Sequence, residues 1–233
     1  MVKWNLIIPI KSLEAAKSRL QPASILDRSN LALAFAIDVA EAAFACPAVG
    51  RVIVVTQDQL AHQLLTEHGA ECIWDPAPGV GGVSDSSPGP LNAALVLGFT
   101  LAATRWPELP SVAMTADLPA LRSAELGAVL SACSGWDRAF VPDRSGRGTT
   151  LLSVAAGVQP RPAFGHDSAS AHRSSGAHDL AELAGPSVRC DVDVAADLIA
   201  ALQLGVGEHT AAALVSASPA LLPVALESLD AIP

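Results

Sequence analysis

The sequence predicts an α/β fold built on a mainly parallel sheet. Two apolar segments, Trp4–Ile10 and Arg51–Thr56, have the composition of strands that are buried on both faces. An alanine-rich helix, Ser29–Phe44, lies between them, and a helix at Gln57–His68 precedes a third short strand at Glu71–Trp74. The order β-α-β-α-β predicts parallel strands joined by right-handed crossovers.

Composition indicates one sizeable globular domain. Of 233 residues, 51% are hydrophobic and 16% are charged, so a large buried core is expected and disorder is not. The formal net charge of -9, without any Lys/Arg-rich run, argues against binding to nucleic acid or to an anionic membrane. Every apolar run stops short of the roughly 20 residues that span a bilayer. The four scattered cysteines, without a C-x-x-C pair, favour reduced thiols in a cytoplasmic protein.

The segment Pro110–Leu121 places an acid at the tip of a strand. Its apolar run, Val112–Ala116, ends at Asp117, and Pro119 stops the strand. Because open α/β sheets bind ligands outside the carboxyl ends of their strands, Asp117 is a candidate site residue.

A second acidic segment lies late in the chain. We expect a strand over Val188–Val194, which would put Asp191 and Asp193 on one face and Val192 on the other. Two carboxylates on one face repel each other unless a cation lies between them, and Mg²⁺ is commonly held by one or two carboxylates plus substrate phosphates. The pattern therefore favours a metal site shared with Asp117. A hairpin corner with solvated acids is the alternative.

Three cations, Lys11, Lys17 and Arg19, follow the first strand directly. The loop after a first parallel strand is a common phosphate site, because backbone N–H groups and a helix start point there. Cations in that loop are suited to a polyphosphate. A solvated basic face is the alternative interpretation.

A long Gly/Pro/Ser-rich loop, Asp75–Pro90, is of a length that is usually functional or mobile in compact domains. The helix Leu91–Ala103 follows it, with Asn92 in its first turn. The Asn92 amide is placed to meet a ligand held by the loop, or else it caps the helix.

The next elements are a helix at Ser123–Ala132, a strand at Ala139–Pro142 and a hairpin over Asp143–Ala155. Gly146 and Gly148 lie in the bend of that hairpin. Backbone amides in such a glycine-rich bend can hold an anion.

The most polar segment is Phe164–Gly176. A helix is predicted to begin within it at Ser168–Arg173, capped by Asp167 or Ser168, with free N–H groups facing an anion. Asp197 then caps or opens a last helix, Leu198–Leu204.

Six segments, in order along the chain, carry a resemblance to a known family. They read I-I-P-I-K-S-L-E-A-A-K-S-R-L, P-L-N-A-A-L, A-D-L-P-A-L, D-R-S-G-R-G-T-T, F-G-H-D-S-A-S-A-H and C-D-V-D-V-A-A-D-L. With them the chain resembles the 2-phospho-L-lactate / phosphoenolpyruvate guanylyltransferases of coenzyme F420 biosynthesis. The resemblance covers about Leu6 to Gly207, which we interpret as a single domain of residues 1–207. Residues 208–233 are a tail without an assigned role.

The resemblance implies a Rossmann-like, three-layer α/β/α nucleotidyltransferase (GT-A-like) fold with a mixed, mostly parallel sheet. It also implies roles for particular residues. The implied metal ligands are Asp117 and Asp191, with Asp193 close by, and the predicted catalytic residues are Lys17, Asp117 and Asp191. Thr149, Gly165 and Ser168 fall on positions that hold the acceptor. Lys17 and Asn92 fall on nucleotide contacts, and Lys11 and Arg19, which lie in the segment after the first strand, complete the predicted nucleotide site.

The implied reaction is attack by a phosphate oxygen of a small phosphorylated carboxylic acid on the α-phosphorus of GTP, with Mg²⁺ bound and pyrophosphate released. His166 and Arg173 favour phosphoenolpyruvate as the acceptor, with 2-phospho-L-lactate and 3-phosphoglycerate as alternatives. The alternative functions are cytidylyl or molybdopterin guanylyl transfer, a metal-free nucleotide-binding regulatory module, and a glycosyltransferase. A homodimer and a transient contact with the next pathway enzyme are open alternatives.

Overall fold

The computed structural model describes residues 2–11, 13, 20, 25–76 and 89–217. Lys17, Arg19 and residues 77–88 of the predicted Gly/Pro/Ser loop lie outside this set. So does the end of the chain, residues 218–233.

Among the described residues, seven strands form one sheet in the order β3-β2-β1-β4-β6-β5-β7. They are β1 (Trp4–Ile10), β2 (Val49–Thr56), β3 (Glu71–Trp74), β4 (Ser111–Met114), β5 (Arg138–Pro142), β6 (Thr149–Val154) and β7 (His178–Asp179). β6 runs antiparallel to both of its neighbours, whereas the other pairs are parallel. The predicted mixed, mostly parallel sheet is confirmed.

The helices of the described chain surround this sheet. They are α1 (Ile25–Phe44), α2 (Gln59–Glu67), α3 (Pro90–Arg105), α4 (Ser123–Cys133), α5 (Ser168–Ser174), α6 (Pro186–Arg189), α7 (Ala195–Leu204) and α8 (Glu208–Ser216). The helices predicted over residues 29–44, 57–68, 91–103 and 123–132 are all present, with ends that differ by a few residues.

Successive side chains along each strand point to opposite faces of the sheet, and helices cover both faces, which gives three layers. Leu6 and Ile8 of β1 face a core that includes buried side chains of α1 and α4. Ile7, between them, faces a second core together with Leu95 and Phe99 of α3. The sheet is therefore covered on both sides, as the predicted α/β/α sandwich requires.

Gly98 lets α3 lie close against the sheet. A Cβ atom at this position would be 2.5 Å from Cγ2 of Ile7 and 3.2 Å from Cγ2 of Val55. Any larger residue would therefore push α3 away from β1 and β2. This close packing places α3 directly on β1 and β2.

The predicted strand over Val188–Val194 is wrong. Pro186 begins the short helix α6, and residues 190–194 lie outside the sheet. Their amides bond elsewhere, because Val192 N donates to the Asp117 carbonyl at 3.0 Å and Val194 N donates to the Asp197 carboxylate at 3.0 Å. The exposure still alternates, with Val192 buried between two more exposed acids.

The first part of the segment predicted as a tail forms α8, which packs against α1. The Asp38 carboxylate on α1 accepts the backbone N–H groups of His209 at 3.0 Å and Thr210 at 2.9 Å. A Cβ atom at Gly207 would lie 2.4 Å or less from the Asp38 carboxylate atoms Cγ and Oδ1, so this approach needs glycine. Together these contacts attach α8 to the domain.

None of the helices in the described ranges has both the length and the apolar character needed to cross a bilayer. All four cysteines are free thiols.

Candidate active site

The candidate site lies at one edge of the sheet. Because β1, β4 and β5 run in the same direction, their carboxyl ends meet at this edge, where Lys11, Asp117 and Asp143 follow them. The antiparallel β6 begins at the same edge with Thr149, which pairs with Pro142 at the end of β5. Residues far apart in sequence thus reach one place, the usual ligand-binding edge of an open α/β sheet.

Asp117 is held by backbone hydrogen bonds on several sides. Thr115 N donates to the Thr150 carbonyl at 3.0 Å, which continues the pairing of β4 with β6 for one more residue. The Asp117 carbonyl accepts from Val192 N, and the Pro119 carbonyl accepts from Gly207 N at 2.9 Å. The side chain is half-buried, with its Oδ1 atom inaccessible to solvent. The predicted acid at the strand tip is therefore fixed in place.

Asp191 lies within a cluster of carboxylates. Burial, and then the negative charges of Asp117, Asp143 and Asp193, raise the pKa of Asp191 from 3.8 to about 8. The three predicted metal ligands thus lie close enough for their charges to interact, although the segment carrying two of them is not a strand. A divalent cation among these oxygen atoms would offset their repulsion.

Asp143 is a further member of this cluster, which the sequence pattern does not single out. Its Oδ1 atom accepts from Ser145 Oγ at 2.9 Å and from Arg147 N at 3.0 Å, which closes the bend between β5 and β6. A Cβ atom at Gly148 would lie 2.6 Å from Asp143 Oδ2, so this glycine makes room for the carboxylate. The available signal was an acid directly after a buried strand, the same signal that identified Asp117.

Arg189 fixes the bend relative to the segment that carries Asp191. Its guanidinium group donates to the carbonyls of Pro142 at 3.2 Å, Asp143 at 3.0 Å and Ala181 at 3.3 Å. In return, Arg144 N donates to the Arg189 carbonyl at 2.8 Å. This residue was not singled out from the sequence, because its three carbonyl partners come together only in the folded chain.

Asp197 organises the chain around Asp193. One carboxylate oxygen accepts from Asp193 N at 3.2 Å and Val194 N at 3.0 Å, and the other accepts from Arg144 Nη2 at 2.8 Å. The prediction that Asp197 caps or opens the last helix is confirmed, since it lies in the first turn of α7. The Asp193 side chain itself is exposed.

Thr149 and His172 form a buried hydrogen-bonded pair beside this cluster. His172 Nε2 accepts from Ala163 N at 3.0 Å, and His172 Nδ1 lies 2.9 Å from Thr149 Oγ1. Because an amide can only donate, Nε2 is unprotonated and the neutral ring carries its proton on Nδ1. Thr149 Oγ1 therefore accepts from the ring, and its own proton is directed to another acceptor.

His172 is kept neutral by its surroundings. Burial, and then the positive charge of Arg138, lower the pKa of His172 from 6.5 to about 4. Its ring packs near Phe140 and Phe164, with centroid separations of 5.6 and 5.3 Å. The tautomer that makes Thr149 a donor thus persists at neutral pH.

The other two predicted acceptor residues lie in the turn before α5 and at the start of that helix. Gly165 has a φ of +136°, which side chains of L-residues rarely adopt, and a Cβ atom there would meet nothing within 4 Å. Glycine is thus required by the backbone conformation and not by a lack of room for a side chain. Ser168 is buried at the first position of α5.

The expectation of free N–H groups at the start of α5 is wrong. Ser168 N donates to the Gly165 carbonyl at 3.2 Å, Ala169 N to the Arg147 carbonyl at 3.0 Å and Ser170 N to the Asp167 carbonyl at 3.0 Å. These amides hold the turn together and connect it to the β5–β6 bend. An acceptor bound here would therefore rely on side chains and on the glycine backbone.

Asp167 occupies the N-cap position of α5, but its carboxylate makes no capping bond. It accepts instead from Nε and Nη2 of Arg147, at 3.0 and 2.9 Å, and lies 2.8 Å from His166 Nδ1. Arg173, the arginine of this segment, pairs with Asp179 at 2.7 Å. The predicted capping by this carboxylate is thus replaced by an ion pair that links two loops.

Asn92 also has a structural partner. Its Nδ2 atom donates to the Phe164 carbonyl at 2.9 Å, and its Oδ1 atom accepts from Phe164 N at 2.8 Å. The amide therefore ties the start of α3 to the turn that contains Gly165. Lys11 is exposed directly after β1. The assignment of Lys11 and Asn92 to the nucleotide stays a prediction.

Solved structures share this fold. The chain matches a putative nucleotide-diphospho-sugar transferase from Desulfovibrio desulfuricans with a TM-score of 0.64 and 16% identity, over 97% of this chain and 99% of that one. A nucleotidyl transferase from Methanothermobacter matches with a TM-score of 0.56 and 14% identity, over 85% and 95% of the two chains. The fold, with acids at the carboxyl edge of its sheet, is that of the nucleotidyltransferases.

Sequence relatives narrow this class to one family. The phosphoenolpyruvate guanylyltransferase of Streptomyces coelicolor is 50% identical over 212 residues, which are 91% of this chain and 95% of the relative. That of Thermomonospora curvata is 46% identical over 220 residues, 94% and 92% of the two chains. No protein-family model matches the chain. The chain belongs to the phosphoenolpyruvate guanylyltransferase family, which confirms the resemblance seen in the sequence.

Proposed function

We propose that this protein transfers GMP from GTP to phosphoenolpyruvate and releases pyrophosphate. The observation that carries the reaction class is the group of carboxylates from Asp117, Asp143, Asp191 and Asp193 at the carboxyl edge of a nucleotidyltransferase sheet. The choice of guanine and of the acceptor rests on relatives of that name at 42–50% identity. A cytoplasmic role in coenzyme F420 biosynthesis is part of the proposal.

The carboxylate cluster fits Mg²⁺. Its donors are hard oxygen atoms. Burial, and then the neighbouring negative charges, oppose the ionised form of Asp191, which a bound cation would favour. Asp117 and Asp191 would hold the ion, with Asp193 and Asp143 beside it. Bound Mg²⁺ supplies charge neutralisation to the phosphates during transfer.

The proposed reaction requires positioning more than proton transfer. A phosphate oxygen of the acceptor forms a bond to the α-phosphorus of GTP while the bond from that phosphorus to pyrophosphate breaks. Because this phosphate is already ionised at neutral pH, the chain does not need to supply a general base. Lys11, together with Lys17 and Arg19, would neutralise the triphosphate from the segment after β1.

The acceptor would lie between the carboxylate cluster and the turn at Gly165. Thr149 is a hydrogen-bond donor there, since its hydroxyl oxygen already accepts from His172. Its proton suits a phosphate or carboxylate oxygen of phosphoenolpyruvate, because hydrogen bonds to charged acceptors are the stronger kind. Gly165 allows close approach of the backbone, and Ser168 lies at the end of the same turn.

A pyrophosphate-release assay tests this proposal. The protein is given GTP and Mg²⁺ with phosphoenolpyruvate, 2-phospho-L-lactate or 3-phosphoglycerate in separate reactions. We expect turnover with phosphoenolpyruvate, abolished in Asp117→Ala and retained in Asp137→Asn, an exposed acid that precedes β5 at the opposite edge of the sheet. Turnover only with another acceptor, or only with CTP or ATP, would refute the substrate assignment. Nucleotide binding without turnover of any acceptor would instead indicate a regulatory module.

A further inference from the structure

Three potential metal ligands from separate elements converge at a second place in the fold. They are Glu41 of α1, His68 in the turn between α2 and β3, and His209 of α8. Glu41 Oε1 lies 3.0 Å from His209 Nε2 and 3.5 Å from His68 Nδ1. One ligand atom from each residue lies within 4.8 Å of the others. The turn that carries His68 is at the amino edge of the sheet, opposite the edge where Asp117 lies.

The separations suit a small tetrahedral cation. With metal–ligand bonds of about 2.0–2.1 Å, two ligand atoms of a tetrahedral site are about 3.3 Å apart. The two measured distances from Glu41 Oε1 fall on either side of that value. The imidazole rings of His68 and His209 meet edge to face, with centroids 5.5 Å apart and planes at 78°, so both rings can turn a nitrogen toward one point.

The ligand chemistry separates this cluster from the carboxylate cluster. Two imidazoles and one carboxylate form a set that binds Zn²⁺, whereas Mg²⁺ prefers oxygen ligands alone. All three side chains are partly exposed, with side-chain accessibilities of 31% for His68, 35% for His209 and 45% for Glu41. A cation can therefore enter from solvent, and water can complete its coordination.

We propose that Glu41, His68 and His209 bind one divalent cation of the Zn²⁺ type, with water as the fourth ligand. The site has a structural role and takes no part in nucleotidyl transfer. It joins α8 to α1 and to the end of α2, and it reinforces the bonds by which Asp38 holds the start of α8. Metal binding to the folded chain stabilises that chain.

The test uses tag-free protein stripped with EDTA and then saturated with Mg²⁺, so that the carboxylate cluster does not compete. Zn²⁺ is titrated by calorimetry, and Co²⁺ is titrated by its visible absorption as a reporter of four-coordinate geometry. We expect one Zn²⁺ per chain, a rise in Tm, and binding weakened about tenfold or more in His68→Gln and in His209→Gln. His62→Gln, on α2 but outside the cluster, should bind Zn²⁺ as the wild type does.

Two variants test whether the two metal sites are separate. Asp191→Asn should keep full Zn²⁺ affinity, and His68→Gln should keep guanylyl transfer with Mg²⁺. Equal Zn²⁺ affinity in the wild type and in both histidine variants would overturn the proposal and leave only hydrogen bonds between Glu41 and the two rings. Loss of Zn²⁺ binding in Asp191→Asn would overturn it as well, because the ion would then belong to the carboxylate cluster. Circular dichroism confirms that each variant is folded. Weaker Zn²⁺ binding in both histidine variants excludes an effect that is peculiar to one substitution.

Discussion

The Nδ1 atom of His172 lies 2.9 Å from the Oγ1 atom of Thr149, and both side chains are buried. On the other side of the ring, Nε2 accepts the N–H group of Ala163, which sets the position of the ring proton. The histidine thereby determines the direction in which the threonine hydroxyl donates. Since Thr149 begins β6 at the edge where Asp117 lies, this direction matters for any anion bound there.

Thr149→Val removes the donor and keeps the shape of the side chain. A hydrogen bond to a charged acceptor contributes about 1.5–3 kcal/mol, so kcat/KM for phosphoenolpyruvate should fall by about 10- to 150-fold. The KM for GTP should change little. Steady-state kinetics with each substrate varied in turn measure both values. Thr150→Val is the matched control, because that buried hydroxyl donates to the Val141 carbonyl on the neighbouring strand. Equal effects of the two substitutions on the acceptor would contradict the role of Thr149.

His172 is a positioning residue, and two substitutions separate this role from simple packing. His172→Leu removes both polar partners and leaves Ala163 N without its acceptor, which should destabilise the fold by about 1–3 kcal/mol. It should also raise the KM for the acceptor. His172→Asn retains an amide that can donate toward Thr149, so part of the acceptor affinity should return. If both variants lose stability and neither changes the acceptor KM, His172 serves packing alone.

Stability should depend on pH through His172. Its pKa of about 4 in the folded protein is below the ordinary value of 6.5, so between these values the unfolded chain binds more protons than the native one. The free energy of unfolding should therefore fall as the pH drops from about 6.5 to 4, by up to about 3 kcal/mol from this residue. Urea unfolding at several pH values measures the slope. Thr149→Val retains the buried histidine and should keep the slope, whereas His172→Leu should flatten it. Parallel slopes in the wild type and in His172→Leu would disprove this origin.

Asp191→Asn should stabilise the protein in the absence of metal and inactivate it. Burial and the charges of the neighbouring carboxylates keep Asp191 largely protonated in the metal-free folded chain at neutral pH, whereas the unfolded chain ionises it, and this difference disfavours folding. Asparagine ionises in neither state, so the Tm in EDTA should rise by about 2–4 °C, which is the usual response to about 1 kcal/mol in a chain of this size. The rise in Tm that Mg²⁺ gives the wild type should disappear. Thermal unfolding with and without Mg²⁺ measures both effects, with Asp137→Asn as the control. A lower Tm in EDTA would show that Asp191 is not under electrostatic strain.

The sequence predicted those features that a single segment encodes. Apolar runs identified β1 and β2, and an acid placed directly after an apolar run identified Asp117. The alternating polarity of the segment around Asp191 predicts a strand. Alternation reports which side chains are buried, but it does not report whether the backbone pairs with a sheet or, as at Val192, with a loop carbonyl.

Features that are formed by several segments together cannot be predicted in this way. The partnership of His172 with Thr149 joins residues 23 positions apart, and its meaning depends on a third residue, Ala163. Asp143 carries the same signal as Asp117, an acid directly after an apolar run, but the glycines that follow it predict only a hairpin bend. The convergence of Glu41, His68 and His209 requires the packing of α8 on α1. The sequence pattern of one helix or strand does not show which residues of other elements it will contact.

Arg189 provides the last prediction, because it connects the two halves of the carboxylate cluster. Its guanidinium group reaches three carbonyls, which the single ammonium group of lysine cannot do with the same planar geometry. Arg189→Lys should therefore destabilise the fold by about 1–3 kcal/mol and loosen the position of Asp143 relative to Asp191. Mg²⁺ should bind more weakly as a result, which calorimetry can measure. Arg161→Lys, at an exposed position, should leave stability and Mg²⁺ binding unchanged. If Arg189→Lys lowers stability without affecting Mg²⁺ binding, the bend at Asp143 is held by its own hydrogen bonds and the arginine serves only the fold.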